Sequence, residues 1–164
     1  MNSHNEYINA IKTKYDFKRW SSQIKIPGKF SKKYLPSHNA IDGFVHIKRK
    51  PVANTNHAFT DYFQHIKNKE IAVAVTVFEY KSTSETHEHL ALTLCHCAAP
   101  EIPRCEKKNI IVGDIAFCGS QEIQTSIFYV RNNVFIKIES VGKKPYHVAE
   151  LAQTIDKQII NNLV

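Results

Sequence analysis

Apolar residues recur along this chain in two registers, every third or fourth position in some stretches and every second in others. Residues 5–20 carry Tyr7, Ile8, Ile11 and Tyr15 at helical spacing, with the stem of Lys18 extending the stripe, and read as a first amphipathic helix. Pro27 and Gly28 close the short segment after this helix, and residues 31–39, with Pro36, read as a surface loop. Residues 43–50 set Phe44, His46 and Lys48 against Val45, Ile47 and Arg49, a half-buried strand that stops before Pro51. Residues 57–68 carry Phe59, Tyr62, Phe63 and Ile66 at helical spacing between asparagines, and predict a short helix or packed loop.

Residues 70–80 are apolar at odd and even positions alike, with Ile71, Val73, Val75 and Val77 against Ala72, Ala74, Thr76 and Phe78. Such a strand belongs near the centre of a sheet covered on both sides. Ser82 followed by Glu85 is a capping box opening a helix over 83–97, with Leu90, Leu94 and Cys97 on one face and Pro100 and Pro103 beyond its end. Residues 109–118 read as a strand interrupted at Gly113 and Asp114. The runs 127–130 and 134–138 flank Asn132 and Asn133, residues that tolerate the positive φ of a type I′ turn, and predict a β-hairpin. Residues 146–163 predict a long C-terminal helix with Val148, Leu151, Ala152, Ile155, Ile159 and Leu163 buried.

The order predicts an α+β fold: an antiparallel sheet with helices packed on one face. Two successive strand-then-helix units, 43–97 and 109–163, give it a duplicated layout. With no Gly/Ser spacer, residues 1–164 are expected to form one domain. No stretch approaches the ~20 apolar residues of a membrane span, and the first ten residues lack a leader's basic start and apolar run, so the expected location is cytoplasmic.

Charge changes this picture in one place. Residues 1–50 hold 11 Lys and Arg against 3 Asp and Glu, net +8, while the remainder is net −1. A local positive field attracts anions. The expected function is therefore a non-catalytic binding or accessory protein holding an acidic protein or other polyanion on Lys12, Lys18, Arg19, Trp20, Lys25, Lys29, Lys32 and Lys33. Tyr7, Tyr15, Phe17, Trp20, Phe30 and Tyr34 lie among these cations, and cations beside stacking surfaces also suit single-stranded nucleic acid, the alternative reading.

A third reading is a small-molecule or metal-binding domain with its pocket between sheet and helices near His89 and His96. His89, His96, Cys97 and Cys105 are its weak candidate metal ligands, since Cys95 and Cys97, with one residue between them, diverge on a continuing helix. No cofactor is expected. Cys95, Cys97, Cys105 and Cys118 are expected as free thiols, with a Cys97–Cys105 bridge and a Cys95–Cys118 bridge as the exported alternative. Phosphate loops, nucleophile elbows and helical His-Glu-x-x-His motifs are lacking, so no enzyme is expected.

Overall fold

Val73, Val75 and Val77 point to one side of a central strand while Thr76 and Phe78 point to the other, and each side faces its own apolar cluster. That strand organises a computed structural model that describes residues 3–35 and 41–164. Its strands are β1 (Phe44–Pro51), β2 (Ala58–His65), β3 (Ala72–Glu79), β4 (Ile115–Cys118), β5 (Ser126–Arg131) and β6 (Val134–Ser140). They form one antiparallel six-stranded sheet in the order β1-β2-β3-β6-β5-β4. The helices are α1 (Ser3–Lys14), α2 (Thr83–Cys95) and α3 (Ala149–Asn161), with 3₁₀ segments at Phe17–Gln23, Lys32–Tyr34 and Cys105–Lys108.

Three strands and a helix thus occur twice, the expected strand-then-helix duplication with β2 as an additional strand in its first unit. The two helices nevertheless take opposite faces. Leu151, Ala152, Ile155 and Ile159 of α3 pack with Val75, Val77, Ile136 and Tyr129, whereas Leu90 and Leu94 of α2 pack with Phe128, Val130 and Phe135 under Trp20. This corrects the expectation of helices on one face. The correction follows from β3 itself, because a strand apolar on both sides needs a cover on each.

Residues 57–68 are not helical. Phe59 and Phe63 share a face with Asp61 between them, and that buried carboxylate removes the apolar signature of a strand. Arg49 meets both oxygens of Asp61, at 2.9 and 2.7 Å, and His46 reaches it at 2.9 Å, so the charge is partnered across β1. At the other end of the core, Arg131 bridges Asp156 and Asp114 at 2.6 to 2.9 Å.

Gly113 precedes β4 with φ +62°, and a Cβ there would stand 2.7 Å from both Tyr129 and the Val130 carbonyl. Ser82 caps α2 by accepting the Glu85 N–H, and the Glu85 carboxylate accepts the Lys81 N–H. In the β5–β6 hairpin only Asn132 has positive φ (50°), so the turn is not the type I′ form expected.

The chain from Lys25 to Leu35 is a strap across one end of all six strands. Lys25 N–H donates to Asp114 before β4, Ile26 O accepts from Asn132, Phe30 pairs with Asn133, and Lys32 N–H donates to Glu79 of β3. The Lys32 ammonium then reaches Asn56 O before β2, and Leu35 O accepts from Arg49 of β1. Five inter-strand gaps of about 4.8 Å span about 24 Å, and eleven extended residues reach at most about 36 Å, so the crossing is made without excess chain. Residues 36–40, with part of the loop expected over 31–39, lie outside the described residues, as does the Tyr34 side chain.

Candidate functional site

The helix spacing of α2 gives it two working stripes. Leu90, Ala91 and Leu94 point into the core, while His89, Leu92, Thr93 and His96 line its flank where the helix leaves the sheet. Opposite that flank, the outward residues of β3 and β6, Thr76, Phe78, Phe135 and Lys137, form the floor. The groove has two lobes that share His89 and Leu92. A lobe of about 580 Å³ runs past His57, Tyr80, Lys81 and Glu85, and one of about 550 Å³ runs over Phe128, Phe135 and Lys137. Cavities of this size suit small ligands.

His89 is fixed at the junction. Its ring centroid lies 4.4 Å from both Phe78 and Phe135, and its Nδ1 is 2.5 Å from Tyr80 Oη. Burial, reinforced by His57, pulls the His89 pKa down from 6.5 to about 4, so the ring is neutral. Burial and Glu85 push the Tyr80 phenol up to about 12, so it keeps its proton. Tyr80 Oη and His89 Nδ1 share one hydrogen bond, in which either partner can donate, and this contact fixes the orientation of the imidazole. His57, 5.0 Å from the Tyr80 ring, is held through Nδ1 by Thr55 at 2.6 Å.

His89 and His96 line one cavity, as their spacing predicts. His96 Nδ1–H donates to Leu92 O, and among the described residues no three His, Cys, Asp or Glu side chains are grouped to hold an ion. The sheet separates the other two candidates: Cys97 packs on the α2 side and Cys105 on the α3 side. All four cysteines are free thiols, and the neighbour of Cys105 is Cys118 rather than Cys97. Hydrogen bonding to Cys118, then burial, pushes the Cys105 thiol up and keeps it protonated.

The basic residues divide into two groups. Lys12 pairs with Glu88 at 2.6 Å, Arg19 sits 3.7 Å from Asp16, and Lys18 is exposed beside them. Lys25, Lys29, Lys32 and Lys33 follow the strap, where Lys25 meets Glu106 at 3.2 Å and the Lys29 backbone pairs with Val164. Trp20 is corrected from ligand-binding surface to core. It is 1% exposed, with its indole N–H on Tyr15 O and its ring edge-on to His87. Phe30 is equally buried, so neither ring can stack on a base.

Sequence reasoning missed Tyr80, His57 and Lys137. The only signal was the alternation of Thr76, Phe78 and Tyr80 on the side of β3 that α2 leaves open. Among the described residues no helix is long and apolar enough to cross a membrane. Comparison of the chain with protein-family models, curated proteins and solved structures finds no match.

Proposed function

We propose that the protein is a non-catalytic binding protein whose ligand, a small molecule with an apolar or aromatic body, lies in the groove between α2 and the sheet. The observation that carries this reading is the pair of lobes joined at His89, a ring locked between Phe78, Phe135 and Tyr80. Rigid aromatic walls with few oriented polar groups are what small-ligand sites require. Leu92, 40% exposed at the junction, is the place to block it.

The test is titration with the neutral fluorophore N-phenylnaphthylamine. Saturable binding that Leu92→Trp removes, at unchanged unfolding midpoint, is the expected result. Binding that ignores Leu92→Trp, or no binding, overturns the reading.

A second reading keeps the acidic partner, and the row of Lys25, Lys29, Lys32 and Lys33 along the strap favours it. A polyanion held there would be lost steeply with added salt, by about 0.7 log–log units per neutralised phosphate for single-stranded nucleic acid. Binding of a single-stranded oligonucleotide or polyglutamate that is insensitive to salt, or to charge reversal at Lys29 and Lys33, would remove it.

A further inference from the structure

We infer that the ligand of the α2 groove is an amphiphilic anion, an apolar chain or ring bearing one carboxylate, with the acid group at Lys137 and the body directed across His89 toward Tyr80. This rests on the groove reading and adds a charge, a polarity and a direction to it.

The lobe over Phe128 and Phe135 has eleven lining residues, and Lys137 is the only Lys, Arg, Asp or Glu among them. Its neighbours across the strands are Thr76 and Phe128, so the ammonium rises from a largely apolar floor. An anion entering this lobe meets one positive charge beside apolar rings, and a hydrogen bond between ionised groups is stronger than one between neutral groups. The present partner of Lys137 is Glu139 at 2.8 Å, two residues along the same strand, with both side chains 36% exposed. Exposed pairs of this kind contribute little, so a ligand carboxylate can compete for the ammonium.

The other lobe has the opposite character. Glu79, Glu85 and Glu88 line it against one lysine, Lys81, so a carboxylate is disfavoured there. Between the two lies His89, whose Nε2 makes no hydrogen bond among the described residues. This nitrogen can donate to the ligand or accept from it, according to the tautomer that the Tyr80 contact leaves. Phe78, Leu92, Phe128 and Phe135 supply the apolar wall for the body.

A matched pair of dyes separates this inference from the reading beneath it: neutral N-phenylnaphthylamine and anionic anilinonaphthalene sulfonate, which share an aromatic body. Lys137→Met is expected to weaken the anionic dye about tenfold or more and leave the neutral one within about twofold, while Lys137→Arg retains both. If Leu92→Trp blocks both dyes but Lys137→Met leaves the anionic dye unaffected, or weakens the two dyes equally, the groove stands and the anion falls. If Leu92→Trp blocks neither, both fall. Displacement of the anionic dye by dodecanoate but not naphthoate assigns an aliphatic acid, and the reverse assigns an aromatic one. Displacement by neither overturns the assignment to carboxylates.

Discussion

Asn133 and Phe30, 103 positions apart, exchange two hydrogen bonds through one side chain: the amide oxygen accepts Phe30 N–H at 2.8 Å and the amide nitrogen donates to Phe30 O at 2.9 Å. The same nitrogen also reaches Tyr80 O at 3.2 Å. One asparagine therefore stands in for a strand neighbour and latches the strap to the sheet.

Asn133→Gly, harmless in a turn that needed glycine, is accordingly expected to cost about 2–4 kcal/mol, because it orphans a buried backbone N–H and carbonyl. Urea denaturation checks this. A midpoint equal to wild type would show that the strap holds without the side chain.

Arg131 is expected to be less replaceable still. Its removal strands Asp114 and Asp156, both buried, and breaking such a pair costs about 3–5 kcal/mol. Arg131→Met should reach that range, and Arg131→Lys should rescue little, because one ammonium cannot reproduce the fork that grips two carboxylates. Full rescue by lysine in the same denaturation series would contradict the bridging geometry.

Acid should destabilise the protein through His89. Its folded pKa of about 4 lies below 6.5, so the unfolded chain binds the extra proton between these values. Stability is complete above about pH 6.5 and falls as pH drops toward 4. His87, also lowered by burial, acts in the same direction. Tyr80, raised from 10.0 to about 12, gives a second loss as pH rises through that interval. Melting temperatures against pH should show the acid limb shallower in His89→Phe; an unchanged limb would assign it elsewhere.

Leu151 and Ile155 carry the contact of α3 with the sheet, and each truncation to alanine is expected to cost about 2–5 kcal/mol. Lys157, exposed on the opposite side, should tolerate the same change. Three equal midpoints would contradict the buried face of α3.

The elements legible in the sequence are those in which period and burial agree. The stripe of α3 and the double-sided β3 are of this kind, and so is the capped start of α2. β2 was hidden because Asp61 interrupts its inward face, and its partner Arg49 is recognisable only once β1 lies alongside. The strap was hidden for a related reason. Its latches are side-chain amides at Asn132 and Asn133, which in sequence resemble any turn. His89 and His96 could be placed on one flank by spacing alone. Tyr80, nine residues before His89 and on another element, could not be assigned to them without the end of β3 being fixed against α2.

The crossing of the strap also governs the order in which the chain can mature. The hydrogen bonds that hold Ile26, Lys29 and Phe30 to Asn132, Val164 and Asn133 join the strap to the last third of the sequence. At ribosomal speeds of about 5–20 residues per second, the 103 positions separating Phe30 from Asn133 take about 5–20 s to appear. Throughout that interval Phe30 lacks its Asn133 latch. The nascent protein therefore offers chaperones an aromatic ring that the mature protein conceals.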